Sequence, residues 1–109
     1  MAGGSTVVSA GNAIRCTEGL SDLGIDLNEE FAEAEREMDV RPINRDLLSE
    51  GSERIMWASE ELGYKMELMP KFIDPVRCRK CGLCPLGCAN DAKWTALDYW
   101  DNKGAEPDP

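Results

Sequence analysis

The chain contains no histidine. Histidine is the usual general base near neutral pH and the commonest neutral metal ligand. Its absence excludes a Ser-His or Cys-His catalytic pair built from this chain alone. A metal site here has to do without imidazole ligands.

Long apolar runs are also absent. No stretch approaches the roughly 20 apolar residues that a membrane-spanning helix needs, and the N-terminal residues lack the basic head and long apolar stretch of a secretory signal. A composition of 42% hydrophobic and 30% charged residues is typical of a soluble globular protein. We therefore expect no membrane span and a cytoplasmic location.

Positive charge is scarce, since the formal net charge is -9. Such a chain is poorly suited to neutralise phosphates, so nucleic acid is not an expected partner. The charge is uneven: residues 71–93 carry five basic and two acidic residues, a net +3 that leaves -12 on the remainder. This basic island contains most of the cysteines and would favour a negatively charged guest, although each exposed charge pair contributes only about 0 to 1 kcal/mol.

Apolar spacing and capping residues predict a mainly α fold. We predict helices over residues 28 to about 39, with Asn28 as cap, from 44 or 52 to 62, with Gly63 at its end, and from 90 or 91 to about 104. Residues 13–25 could form a short helix that stops near Gly24, and residues 64–77 an extended connection. No strand pattern persists, so we expect a small irregular helical domain with a cysteine-rich metal-binding loop and few or no strands.

Four of the five cysteines, Cys78, Cys81, Cys84 and Cys88, lie within eleven residues. Reducing compartments keep thiols free, so five cysteines in an apparently cytosolic chain indicate metal or redox chemistry. The spacing C-x2-C-x2-C-x3-C is that of bacterial iron–sulfur ferredoxins. Gly82 and Gly87 would let backbone N–H groups approach the sulfurs. We predict a 4Fe-4S cluster on these four thiolates.

Zinc is the main alternative, because four thiolates also satisfy a tetrahedral zinc ion. Zinc sites usually come as two separated cysteine pairs, which favours the cluster. Free or disulfide-bonded cysteines are a further alternative. The fourth ligand is open as well: in two-cluster ferredoxins the last cysteine of this run serves the other cluster, and here Ala89 follows Cys88 in place of the usual proline. Cys16 could then replace Cys88, although we expect it to be a buried apolar thiol.

Two stretches resemble one enzyme family. Residues 2–15, AGGSTVVSAGNAIR, are similar to the second flavin-contacting segment of the glucose–methanol–choline (GMC) family of FAD-dependent oxidoreductases. Residues 78–95 resemble the cysteine-bearing region of its prokaryotic and alcohol-oxidase-like members. The resemblance implies that the FAD pyrophosphate contacts Gly3, Gly4, Ser5 and Thr6, and that Asn12 lies nearer the flavin ring.

The departures from that family matter equally. No G-x-G-x-x-G motif opens a strand-to-helix unit, and the family's catalytic C-terminal region with its histidine is missing. The chain is therefore expected to bind FAD only with a flavin-binding partner domain or subunit, and not to be catalytic alone. It would pass electrons from a flavin that oxidises an alcohol or hydroxyl compound to a redox acceptor. A stand-alone ferredoxin-like carrier and a zinc-stapled interaction module are the alternatives.

The length favours a single domain over residues 1–109. We divide it into a segment resembling a flavin contact, a helical segment, a cysteine-rich cluster-binding segment and a disordered tail, at residues 1–27, 28–70, 71–103 and 104–109. The tail Glu-Pro-Asp-Pro has the composition of a disordered terminus.

Overall fold

The structure is a computed structural model that describes residues 2–103, so the predicted tail lies outside the described residues. Within this range the fold is small and mainly helical, with a single two-stranded antiparallel sheet. In chain order its elements are α1 (Asn28–Glu37), β1 (Arg41–Pro42), α2 (Glu50–Glu61), β2 (Pro70–Lys71) and α3 (Ala96–Lys103). None of the helices in this range is long and apolar enough to cross a membrane.

The sheet is very short. Arg41 pairs with Lys71 and Pro42 pairs with Pro70. Each strand contains a proline, which has no N–H to donate to a ladder, so the pairing cannot extend far. The amide of Ile43 prolongs the contact by donating to the Met69 carbonyl at 2.9 Å.

Residues just after β2 join the two ends of the chain. The Phe72 amide donates to the Gly11 carbonyl at 3.0 Å, and the Trp94 amide donates to the Phe72 carbonyl at 2.9 Å. The Asp74 amide donates to the Ala92 carbonyl at 2.7 Å. The connection predicted as extended is therefore the centre of the fold, with the N-terminal segment and the chain beyond the cysteines hydrogen-bonded to it.

The start of α1 differs in detail from the prediction. Asn28 is the first helical residue and not the cap, because Leu27 occupies the cap position. Its amide is satisfied by Asp26 Oδ1 at 2.9 Å. Asp26, two residues earlier, therefore accepts the hydrogen bond at the helix start, where Asn28 was predicted to be the cap.

The second helix is confirmed, and its start lies between the two predicted positions. Ser49 caps α2, since its Oγ accepts from the Ser52 amide at 3.1 Å. A separate 3₁₀ turn, Arg45–Leu47, precedes it. Gly63 ends the helix as predicted, with a φ of 80° and an amide that donates to the Glu60 carbonyl at 3.0 Å.

The third helix begins at Ala96, so a start at Asn90 or Asp91 is wrong. The Thr95 Oγ1 accepts from the Leu97 amide at 3.3 Å, and Asp98 Oδ2 accepts from the Thr95 amide at 2.7 Å. This reciprocal pair is a capping box. The preceding residues cannot be helical because they are hydrogen-bonded to the segment after β2.

Residues 13–25 do not form the helix that was considered possible. Ser21–Leu23 form a single 3₁₀ turn that ends at Gly24, whose φ is 71°. Gly24 therefore stops the turn as predicted. Earlier in this stretch, Ala13 donates its amide to the Pro70 carbonyl at 2.9 Å.

The hydrophobic core is minimal. Among the described residues the buried hydrophobic side chains are Ile73 and Ala92, at 7% and 5% exposure. Trp94 packs edge-to-face against Phe72, with ring centroids 6.2 Å apart, as a packing residue should. Tyr99 and many other large apolar side chains are exposed. Much of the apolar surface of the described residues is therefore exposed.

Candidate metal centre

A tight turn positions the first cysteine. Pro75 follows Asp74, whose Oδ1 accepts from the Val76 amide at 2.9 Å. The Asp74 carbonyl accepts from the Cys78 amide at 3.0 Å. Because Asp74 is itself hydrogen-bonded to Ala92, the entry to the cysteine run is fixed against its exit.

The run then turns at three residues with positive φ. Lys80, Gly82 and Gly87 have φ values of 58°, 72° and 93°. Two are glycines, which adopt this conformation without the steric penalty of a side chain. A 3₁₀ turn at Cys84–Leu86 lies between them and closes with the Gly87 amide donating to the Cys84 carbonyl at 3.2 Å. These reversals keep the chain curled around one volume.

That volume is a cavity of about 170 Å³ lined by all four cysteine residues of the run. Since a water molecule occupies about 30 Å³ in the liquid, the cavity has room for a compact group of several atoms. It falls below the roughly 300 Å³ at which pockets for organic ligands begin. The rest of the lining includes the apolar Ile43, Leu47, Ile73 and Ala92.

The four cysteine residues share the lining of one small cavity, and cysteine is the residue type that ligates iron–sulfur clusters. Thiolates are the ligands that such clusters use, and an apolar shell limits access of water to them. Nowhere in residues 2–103 do three or more cysteine, aspartate or glutamate side chains form a group that could hold a metal ion. None of the four cysteines forms a disulfide bond. Cys81 is exposed, and the other three are half-buried.

Cys88 has the most polar surroundings of the four. Its Sγ accepts from the Ala92 amide at 3.3 Å. Burial raises the pKa of the Cys88 thiol, but the backbone N–H groups of Ala92, Lys93 and Asn90 and the positive charge of Lys93 lower it, and the net shift is downward. These N–H groups stabilise the thiolate, which is the form that binds metal. From the sequence alone, Cys88 is the least certain of the four predicted ligands, because Ala89 follows it where the ferredoxin motif has a proline.

Lys93 is the most buried charged residue among those described, at 2% exposure. Its Nζ donates to the carbonyls of Val7, Ser9 and Cys84 at 2.7, 2.6 and 2.8 Å. An ammonium group has three N–H donors, so all of them are used. Lys93 therefore joins the N-terminal segment to the cysteine run through hydrogen bonds to both.

From the sequence, Lys93 is expected to be one charge of the basic island and, with Arg79 and Lys80, an outer charge that tunes the potential of the cluster. Its contacts depend on carbonyls up to 86 residues away, and carbonyl positions leave no signal in a sequence. Its position just after the cysteine run was the one available hint. The other basic residues are more ordinary: Arg77 lies 3.6 Å from Asp74 and 3.4 Å from Asp91 in exposed ion pairs.

Cys16 lies outside this site. It is exposed, so its interpretation as a buried apolar thiol is wrong. It is not among the residues that line the cysteine cavity, whereas Cys88 is. Cys16 is thus outside the cavity that the four cysteines of the run line.

The segment that resembles a flavin contact forms a 3₁₀ turn, Gly4–Thr6, preceded by Gly3 at a φ of 84°. A Cβ on Gly3 would lie 2.7 Å from Val7 Cγ2, so internal packing requires that glycine. A Cβ on Gly4 would meet nothing within 4 Å. Gly4 and Ser5 are exposed, which leaves the outer side of the turn open.

Thr6 and Asn12 have different surroundings. Thr6 Oγ1 accepts from the Ala96 amide at 2.9 Å and donates to the Gly3 carbonyl, so this hydroxyl serves the fold. Asn12 is exposed and forms an isolated bridge with Lys71. Of the five residues predicted to contact the flavin cofactor, Gly4, Ser5 and Asn12 are exposed, and Gly3 and Thr6 are half-buried.

Comparison with known proteins finds a relative of this chain among the curated proteins. No protein-family model and no solved structure matches the chain. It is 38% identical over 103 residues to the uncharacterized protein MJ1450 of Methanocaldococcus jannaschii. The match covers 94% of this chain and 25% of that protein, so the chain spans about a quarter of the length of the curated relative. A match of this extent spans residues 78–88 of this chain.

Proposed function

We propose that the chain holds a 4Fe-4S cluster on Cys78, Cys81, Cys84 and Cys88. In this proposal it is an electron-transfer component of a flavin-dependent, GMC-like oxidoreductase that acts on an alcohol or hydroxyl substrate. The observation that carries the proposal is the cavity of about 170 Å³ that all four residues line. The ferredoxin spacing of the run supports the same ligand set.

The residues around the cavity would bind and tune such a group. The four thiolates would be its ligands, and a bound cluster would supply one-electron transfer. Arg79 and Lys80 line the cavity, and the ammonium of Lys93 lies close enough to lower the pKa of Cys88. Positive charge beside thiolates stabilises the more negative, reduced state of a redox site, so these residues would raise its potential.

The flavin would come from a partner domain or subunit. Support comes from the resemblance of residues 2–15 to a flavin-contacting segment and from the exposed surface of Gly4, Ser5 and Asn12. The exposed apolar side chains favour a covering partner as well. The greater length of the M. jannaschii relative is consistent with additional domains beside a segment like this one.

The cluster is tested by anaerobic purification followed by iron, acid-labile sulfide and zinc analysis, with visible and EPR spectra before and after dithionite. We expect a brown protein whose iron and sulfide are lost in Cys81→Ser. The matched control is Leu86→Ser, which introduces the same side chain at an exposed position of the same loop. A colourless chain that carries zinc and no sulfide would contradict the proposal and favour the zinc module.

The flavin partner is tested by isolating the native complex and scanning for flavin absorbance. Copurification of a flavoprotein whose flavin is oxidised or reduced together with the chain is the expected result. A brown chain that is isolated alone and reduces unrelated acceptors would identify an independent ferredoxin-like carrier instead. Exchange of Gly4 for a bulky residue should weaken the complex if the open side of the 3₁₀ turn lies against the flavin cofactor.

A further inference from the structure

We propose that Lys93 couples the cysteine cavity to the N-terminal segment, so that filling the cavity orders residues 4–9. This inference rests on the proposed function for its biological meaning, because those residues belong to the segment that resembles a flavin contact. The coupling itself needs only an occupant of the cavity. It would allow the metal site to prepare the surface on which a flavin partner docks.

The contacts of the Lys93 ammonium define the coupling. Two of its three hydrogen bonds end on the N-terminal segment, at Val7 and Ser9, and the third ends on Cys84. The lengths of 2.6 to 2.8 Å are short for bonds from an ammonium nitrogen to carbonyl oxygens. With all three donors used, a shift of the Cys84 carbonyl must break one bond or move the ammonium. In either case the hydrogen bonds from Lys93 to the Val7 and Ser9 carbonyls are disturbed.

The charge of Lys93 strengthens the argument. A buried ammonium is costly unless it is compensated, and no carboxylate within 4.0 Å of its nitrogen is recorded in the described part of the chain. The dipoles of the three carbonyl groups that accept from its Nζ carry the compensation. Thiolates bound to a guest would add negative charge near this ammonium. Filling the cavity therefore holds Lys93 in place more firmly.

A second polar link joins the N-terminal residues to the cavity lining just beyond residues 4–9, since Lys71, which lines the cavity, donates from its Nζ to the Ala10 carbonyl at 3.1 Å. Gly87 has no side chain; a Cβ added there would lie 3.9 Å from Val7 Cγ1, so the glycine itself makes no side-chain contact with the turn. Thr6 joins the turn to Ala96, beyond the cysteines. Lys93 is thus the polar link that reaches Cys84 itself. By thermodynamic reciprocity, a partner that orders residues 4–9 should also tighten binding of the occupant by the same factor.

The experiment is amide hydrogen exchange of the whole chain, with two probes: zinc ions, and iron with sulfide. The amides of Val7 and Val8 report on the N-terminal turn because they donate to Gly4 and Ser5 carbonyls. In the native sequence either occupant should slow exchange at residues 78–92 and also at 4–9, by about fivefold or more at the latter. Protection confined to residues 78–92 would overturn the proposal.

Lys93→Met removes the ammonium and keeps an unbranched apolar stem. We expect faster exchange at residues 4–9 and 82–88 without an occupant, and no protection of 4–9 when one binds. The control is Lys80→Met, which removes a positive charge from the same cavity lining but leaves the Lys93 bonds intact. If Lys80→Met has the same effect, or if residues 4–9 of Lys93→Met are still protected, the coupling is refuted. Should Lys93→Met fail to fold, the native chain with each probe decides.

The outcomes separate this inference from the proposed function. If zinc protects residues 4–9 but no iron–sulfur cluster assembles, the coupling stands and the electron-transfer role falls. If a cluster assembles with full iron and sulfide yet leaves residues 4–9 unprotected, the cluster stands and the coupling falls.

Discussion

The amide of Ala92 donates to the Sγ of Cys88 at 3.3 Å. A backbone donor aimed at a cysteine sulfur stabilises its thiolate and recurs around iron–sulfur ligands. Ala92 is 5% exposed and is held by a hydrogen bond from the Asp74 amide to its carbonyl. The sulfur of Cys88 is therefore held by a rigid part of the fold, which makes it the fourth ligand in our proposal.

This assignment predicts opposite results for two serine variants. Cys88→Ser should lose the greater part of its iron and sulfide, because a serine oxygen is a poor replacement for a thiolate ligand. Cys16→Ser should retain the native iron and sulfide per chain, because Cys16 is exposed and outside the cavity lining. Iron and sulfide analysis of anaerobically loaded protein measures both. Loss of the cluster in Cys16→Ser with retention in Cys88→Ser would reverse the assignment.

The local parts of the fold were predictable where a signal lies within a few residues. Gly63 marks the end of α2 because a residue with positive φ is needed there. The cysteine spacing predicts four cluster ligands; the structure shows that all four residues line one cavity, and their role as ligands stays a prediction.

The parts that failed depend on long-range pairing. Asn90 and Asp91 are good helix starters by propensity, yet the helix begins only after Trp94 because Trp94 is hydrogen-bonded to Phe72. Tertiary hydrogen bonds override a propensity of a few tenths of a kcal/mol. The role of Lys93 could not be predicted for the same reason, since two of its three partners are more than 80 residues away.

The two glycines of the N-terminal turn should differ in their tolerance of alanine. Both have positive φ, at 84° for Gly3 and 56° for Gly4, which costs an alanine about 1 to 2 kcal/mol. At Gly3 the new Cβ would also lie 2.7 Å from Val7 Cγ2 and 3.2 Å from Leu97 Cγ. We expect Gly3→Ala to lower the free energy of unfolding more than Gly4→Ala, as measured by urea denaturation. Equal losses would show that the contact with Val7 relaxes freely.

Thr6 should matter for α3 although it lies at the other end of the chain. Its Oγ1 accepts from the Ala96 amide at 2.9 Å, which satisfies one of the free N–H groups at the helix start. Thr6→Val keeps the shape and removes the hydroxyl, so it should cost about 1 kcal/mol, the usual loss for a helix cap. Thr6→Ser, which keeps the hydroxyl, is the control. Urea unfolding with amide exchange at Ala96 measures both, and indistinguishable Val and Ser variants would argue against this role.

The ion pair between Arg15 and Glu35 should make stability depend on pH in the acid range. Arg15 Nε and Nη2 donate to the two oxygens of Glu35 at 2.7 and 2.8 Å. This hydrogen bonding is the largest cause of the lowered pKa of the Glu35 carboxyl. Burial acts in the opposite direction and raises the pKa, and the charge of Arg15 lowers it further by a smaller amount. Because the folded pKa is lower than the unfolded value of about 4.3, the stabilisation is fully present above that value and is lost as the pH falls through the folded pKa.

Glu35→Gln should therefore reduce the loss of stability on acidification, and the difference in stability from the native chain should vanish once the Glu35 carboxyl of the native chain is protonated. Urea unfolding at a series of pH values from neutral to about 3 covers the pKa of glutamate. The control is Glu33→Gln, on the same helix and outside the Arg15 pair. The ion pair also holds Arg15 against α1, where its guanidinium lies 5.7 Å from the centre of the Phe31 ring. Arg15→Met removes the pair, so it should flatten the same dependence of stability on pH. If Glu33→Gln and Glu35→Gln have equal pH profiles, the ion pair contributes nothing to acid stability.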